Sequence, residues 1–282
     1  LYAALPDFEH FRARLEIHGL DLRHTPSVER FCQHLLAQHE RLDVLINNAC
    51  QTVRRPAAFY AHMLALERRA RLELAPEESA LLGGAGRGSE SVPALLPDHA
   101  FAAELSQLVV APEDAQHDRA LFPEHAYDVD GQQIDLRRVN SWRLRLAEVS
   151  TPELLEVQLV NAVAPFVLNA RLKPLMERVP TADKHIVNVS AVEGQFGRGT
   201  KTDKHPHTNM AKAALNMMTR TSGPDYAADG IWMNSVDTGW VTDEDPMHHV
   251  VRKQHIHDFH PPLDIVDGAA RICDPIFTGL LT

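Results

Sequence analysis

The chain has 282 residues, 44% hydrophobic and 23% charged, with a formal net charge of −10. Such proportions suit a globular protein with a large core, whereas the negative field disfavours a nucleic-acid partner and no apolar run approaches the ~20 residues of a bilayer span. Three scattered cysteines (Cys32, Cys50, Cys273) without a CxxC pair, and an N-terminus without a signal-peptide pattern, point to a reducing, cytoplasmic setting.

In chain order, residues 13–22 alternate loosely and read as a strand ending in Asp21-Leu22. Thr25 or Ser27 can cap the helix that follows, with Pro26 in its first turn. Val28, Phe31, Cys32, Leu35 and Leu36 give residues 28–41 one apolar face. Residues 42–46 form a short apolar run, the mark of a strand covered on both faces, and lead into Asn47-Asn48-Ala49. The opening is thus strand–helix–strand, the unit of a parallel sheet.

Residues 54–139 interrupt the pattern. A helical stretch at 57–76 precedes a glycine run at 83–89 and proline-bearing acidic loops, and the glycine run reads as a surface loop because no strand leads into it. Part of 77–135 is expected to be mobile. Regularity returns with a helix over 151–178, opened by Thr151-Pro152, then a buried strand at 185–189. A helix over 208–222 is expected to end at Gly223-Pro224, and a strand over 231–236 follows the Asp229-Gly230 turn. The last helix spans 264–279. The whole predicts one α/β domain over 1–282: a doubly wound, mainly parallel sheet with a large insertion at about 51–149.

Five segments, in order, resemble the short-chain dehydrogenase/reductase family. Asn47-Asn48-Ala49-Cys50 is similar to its Asn-Asn-Ala-Gly signature. Val160-Asn161-Ala162 resembles its helix asparagine, and Val187 to Gly194 resembles the strand that delivers the catalytic serine. Met210 to Leu215 resembles the helix bearing Tyr-x-x-x-Lys, and Met233 to Gly239 the strand and turn beneath the nicotinamide. The resemblance spans about 13–50 and 150–245. It implies a Rossmann-like fold, NAD or NADP as cofactor, and a small-molecule carbonyl or alcohol substrate; the helices at 152–178 and 208–222, apolar over more than one face, predict a homo-oligomer, dimer or tetramer, paired through them. Cofactor contacts are expected from Asp21, Leu22, Asn47, Asn48, Ala49, Lys212, Asp237, Thr238, Gly239 and Thr242, and a lid from 243–262. No metal is expected; the clustered histidines lack a ligand pattern.

Three departures accompany the resemblance. The glycine-rich phosphate loop is missing and the last strand is not reached, so the sequence reads as cut at both ends. Aligning on Gly194 sets Ala191 at the serine position, with Ser190 one residue early and facing the other way. Thr208 stands where the family has tyrosine, and an aliphatic hydroxyl is far too weak an acid to replace a phenol. Asn161 and Lys212 therefore remain of the usual catalytic set, beside Ser190, Ala191 and Thr208, with His205, His207 and Asp203 as nearby substitutes for the acid. Two readings follow: an oxidoreductase with a modified site, or an inactive relative that binds a ligand or a protein.

Overall fold

The computed structural model describes residues 2, 5–73, 107–115, 118–128, 132–258 and 260–281. They fall into two compact units, one of Leu1–Asp21 with Arg55–Arg119, the other of Leu22–Arg54 with Ala120–Thr282. In the first unit, helix α1 is Phe8–Phe11, with Phe8 and Phe11 in edge contact. A 3-10 turn at Arg12–Arg14 follows. The expected strand over 13–22 is therefore a misreading: apart from an isolated bridge at Ile17, these residues form turn and coil. The loose alternation reflected an 3-10 turn on a short helix, not a pleat. In the same unit, the glycine run at 83–89 lies outside the described residues, as does most of the span expected to be mobile.

The second unit carries the sheet. Helix α2, Thr25–Gln38, begins three residues earlier than its apolar face suggested, and His24 rather than Thr25 or Ser27 precedes it. The His24 carbonyl accepts the N–H of Ser27 at 2.9 Å. Strand β1 is Val44–Asn47. Helix α3, Ala57–Glu73, belongs to the first unit. Helix α4, Thr151–Gln158, is capped by Ser150, whose hydroxyl accepts the Glu153 N–H, so Thr151 is inside the helix. A π-turn at Leu159–Val163 joins it to α5, Ala164–Glu177.

Strand β2 is Lys184–Ser190, buried throughout, and β3 is Ile231–Asp237. The three strands are parallel in the order β1-β2-β3. Between β2 and β3 runs α6, Pro206–Ala228. It continues through Gly223-Pro224, where the sequence suggested a stop. Pro224 is exposed, so the carbonyl it leaves unbonded can face water, while buried Tyr226 anchors the last turn: its hydroxyl donates to Asn169 O at 3.1 Å. Helices α7, Met247–His257, and α8, Ile265–Leu281, complete the unit.

Alternation along β2 assigns the layers. Asn188 and Ser190 bond to α5 and α6, whereas the His185 ring lies against Gly279 of α8. Helices thus cover both faces of a parallel sheet, the α/β architecture expected. Met176, Ile186, Tyr226 and Ile231 form a buried cluster on the α5–α6 side, with Leu42, Leu45 and Met233 packed against it.

One row of side chains crosses this sheet in register. Asn47, Asn188 and Ser235 are direct neighbours on β1, β2 and β3. Asn47 Nδ2 donates to Asn188 Oδ1 (2.9 Å) and to Asn169 Oδ1 on α5 (2.8 Å). Asn169 Nδ2 also reaches Asn188 Oδ1 (3.1 Å), and Asn188 Nδ2 donates to Thr219 of α6 (3.0 Å), which shares a hydrogen bond with Ser235 (2.8 Å). Amides buried in an apolar layer must find partners. Here they find one another.

Candidate active site

The carboxyl ends of the three strands lie together, which in open α/β sheets is where a ligand crevice forms. At the end of β2, Ser190 is buried and its hydroxyl donates to Lys212 O at 3.2 Å. Ser190 is thus committed to the α6 backbone, and Ala191, extended at φ −157° and ψ 155°, carries the opposite orientation. Gly194 presses on the same turn of α6: a Cβ there would stand 2.6 Å from Lys212 C. Only glycine lets the loop after β2 approach the helix this closely.

Lys212 is 6% exposed, and its ammonium donates to Val189 O at 2.8 Å. Thr208, one turn earlier, is 4% exposed, and its hydroxyl has no hydrogen-bond partner among the described residues. Asn161 sits within the π-turn, an irregularity found often at functional sites. Its amide makes a two-way clamp on Gln51, accepting the backbone N–H at 2.7 Å and donating to the carbonyl at 3.0 Å. Asn161 thereby holds the segment leaving β1 and is a step away from α6.

The remaining expected residues are placed as follows. Asn47 is buried and spends its amide hydrogens on Asn169 and Asn188; Asn48 and Ala49 are exposed beyond it. Asp21 closes the first unit and follows no strand, while Leu22 opens the second; the expected strand-end position for Asp21 is corrected accordingly. Asp237 accepts the Gly239 N–H at 2.9 Å, forming a turn in which Gly239 has φ +75°. Thr238 donates to Gly239 O, and Thr242 to Glu244 Oε1 at 3.1 Å.

A strap from 140 to 145, inside the stretch read as irregular insertion, organises the mouth. Asn140 donates to Glu244 O at 2.8 Å. Arg143 grips Asp245, Nη2 to Oδ2 at 2.8 Å and Nε to Oδ1 at 2.6 Å. Lys253 of α7 donates to Asp245 at 2.9 Å and pairs with Asp243. Trp142 stacks on His205, the ring centroids 3.8 Å apart and the planes 5° from parallel. Leu144 O accepts the His205 N–H at 2.8 Å.

Two neighbouring histidines differ sharply. His207 is 1% exposed and turns to α4, with Nε2 3.3 Å from Glu153 Oε1. Burial alone would raise the Glu153 pKa, but His207, the Ser141 hydroxyl and Arg54 outweigh it and hold the carboxyl below its ordinary value. His205 has a left-handed backbone, φ +39° and ψ +48°, just ahead of α6, and its Nδ1 lies 3.0 Å from Asn209 Oδ1. Burial lowers its pKa against the opposing effects of Asn209 and Glu193. Sequence reading missed Trp142, Asn209 and Glu153; their only signal was a tryptophan and polar residues in a stretch without periodicity.

Among known proteins, the family described as enoyl-(acyl carrier protein) reductase matches residues 139–259. An uncharacterized protein of Acanthamoeba polyphaga mimivirus is 29% identical over 293 residues, covering 98% of this chain and 54% of that protein, so the chain spans about half of its relative's length. A crystal structure of a short-chain dehydrogenase from Streptomyces avermitilis is similar with a TM-score of 0.50 at 16% identity, over 96% of this chain and 70% of its own. A metagenomic short-chain oxidoreductase in complex with NADP gives a TM-score of 0.41 at 16% identity, over 78% and 57% of the two chains. Residues 139–259 thus match that family's model, and the helix-flanked parallel sheet has the Rossmann-like α/β fold of the short-chain dehydrogenase structure it resembles.

Proposed function

We propose that the chain is part of an oxidoreductase that uses NAD or NADP and interconverts a carbonyl and an alcohol on a small molecule, through a modified site. The observation that carries this reading is the Lys212 ammonium. It is buried, has three N–H donors, and has one acceptor among the described residues, Val189 O. A buried ammonium with spare donors fits the paired hydroxyls of a ribose, so the residues present suit the nicotinamide end of a dinucleotide. Lys212 would hold that ribose, and the Asp237–Gly239 turn would wall it. When bound, the nicotinamide supplies or accepts the hydride. Ser190 and Gly194 fix the turn of α6 that bears Lys212, which is positioning rather than proton transfer.

The second reading, an inactive relative that binds a ligand or protein, is favoured by one observation: the Ser190 hydroxyl is spent on Lys212 O and Thr208 is no acid. Fluorescence titration of NADPH and NADH against the full chain tests the first reading. Binding lost in Lys212→Met supports it; no binding of either nucleotide rejects it. Restoring Ala191→Ser with Thr208→Tyr should raise ketone reduction in a protein that binds cofactor.

Assembly belongs to the same proposal. Leu155, Phe166, Met210 and Met217 stand more than half exposed on α4, α5 and α6, an apolar face that a second copy would cover. Light scattering should give a dimer or tetramer, and Phe166→Asp should shift it towards monomer. Among the described residues no helix is long and apolar enough to cross a membrane. The three free cysteines suit a reducing compartment.

A further inference from the structure

We infer that His205 moves the proton in this site, in the place of the family's tyrosine. The inference rests on the oxidoreductase reading above and assigns a residue within it.

Position comes first. Thr208 and Lys212, four residues apart, share one face of α6, and His205, left-handed in backbone, stands just ahead of that helix. Thr208 carries a far shorter side chain than a tyrosine would, and the His205 ring bonds to Asn209, the residue next to Thr208. His207 lies about 100° around the helix and is spent on Glu153.

Restraint comes second. A left-handed backbone is disfavoured at a residue with a Cβ, and persists where the surroundings over-determine it. Here four contacts do so: the Trp142 stack, the Asn209 side chain, the Leu144 carbonyl, and the Asn209 N–H, which the His205 carbonyl accepts at 3.2 Å. Such effort spent on one ring is what a proton-transfer group requires.

The tautomer comes third. With Asn209 Oδ1 facing Nδ1, the ring carries its hydrogen on Nδ1 and leaves the Nε2 lone pair free. Nε2 has no hydrogen-bond partner among the described residues, and it is not one of the buried nitrogens sealed from solvent, which include both of His207. This is a base held by an orienting partner.

The step balances. In oxidation the substrate O–H bond breaks and its proton goes to Nε2, the C–H electron pair leaves as hydride to the oxidised nicotinamide, and a C=O bond forms. Reduction reverses each transfer, with the proton returning from Nε2 to the new alkoxide. Around the ring stand Trp142 on the strap, Glu193 on the loop after β2, and His207 and Asn209 on α6, while Asp203 is paired with Arg145 at 2.7 Å and Lys204 at 3.6 Å. Burial lowers the His205 pKa, so the ring is neutral at pH 7. Oxidation then persists at and above neutrality and falls as pH drops through that lowered pKa. Reduction does the opposite.

Nitrogen-15 NMR of the imidazoles in the full chain tests the arrangement without cofactor. The expected result is a neutral His205 with hydrogen on Nδ1 at pH 7, and loss of that fixed tautomer in Asn209→Ala. Hydrogen on Nε2, or an imidazolium at pH 7, overturns the assignment. Turnover with NADPH and a panel of ketones, diketones and enones tests the role. His205→Gln should bind NADPH as wild type does, yet lose ~10²–10⁴-fold in kcat together with the low-pH break. A His205→Gln protein with wild-type turnover and pH profile overturns the inference, as does a wild type that binds NADPH and reduces nothing in the panel. Failure to bind either nucleotide would instead sink the oxidoreductase reading, and the role of His205 with it.

Discussion

Replacing Asn188 with alanine removes the centre of the amide row. Asn188 is 0% exposed and makes three of the row's bonds: two accepted by Oδ1, from Asn47 and Asn169, and one donated to Thr219. Each net bond is worth about 1 kcal/mol, and a buried donor left alone costs ~1–3 kcal/mol. In the variant Asn47 keeps Asn169 and Thr219 keeps Ser235, but Asn169 Nδ2 is left with Met218 Sδ at 3.8 Å. The expected loss is therefore about 3–5 kcal/mol. Trp142, Trp232 and Trp240 are the chain's three tryptophans and all lie in the sheet-bearing unit, so their emission reports its unfolding alone. With a urea slope of ~2 kcal/mol per molar, the midpoint should fall by roughly 1.5–2.5 M. Ser235→Ala, at the row's end, should cost about 1 kcal/mol. An Asn188→Ala midpoint unchanged from wild type would refute the view that the row holds the strands.

Gly194→Ala should destabilise by ~1–3 kcal/mol, because its methyl meets immovable helix backbone at 2.6–2.8 Å; a thermal melt reads this, and an unchanged melt would mean that the loop yields freely. The Glu153 carboxyl is held below its ordinary pKa of 4.5, so it contributes stability above pH ~4.5 that is lost as pH falls through the lowered value. Glu153→Gln should flatten the acid limb of the melting temperature against pH, and an unaltered limb counts against the His207 pairing. Burial pushes the Cys32 thiol up to about 11, whereas Cys50 is exposed. Iodoacetamide at pH 8 should alkylate Cys50 while sparing Cys32 in the native protein, which peptide mass spectrometry reads directly.

The strands were legible where burial on both faces made them short, bounded apolar runs: residues 42–46, 185–189 and 231–236 each fall on an observed strand. Lys212 and Asn161 were singled out by order and spacing, and the structure sets one against the end of β2 and the other in the π-turn. Partnership was not. Asn47 looks like a residue at a ligand's edge, and only the register of β1 against β2 reveals that its amide is spent 141 positions away. Pro224 is a fair local stop signal, which the anchored Tyr226 overrides. Trp142 could not be paired with His205 from sequence, because a non-periodic strap carries no direction. The 13–22 misreading has the opposite cause: alternation over so few residues is equally compatible with a helical turn and coil.

Helix α7 has no buried residue among those described; its Lys253 pairs with Asp243 and Asp245 of the preceding turn, and the strap grips that turn through Arg143 on Asp245 and Asn140 on Glu244 O. Apolar attachments announce themselves in heat capacity, because freeing them wets hydrocarbon. Freeing α7 wets little, so its detachment should carry a small heat-capacity change and a shallow temperature dependence. Ionic strength acts on such a tether directly, over a Debye length of ~8 Å at physiological salt. The attachment of α7 is therefore a matter of electrolyte more than of warmth.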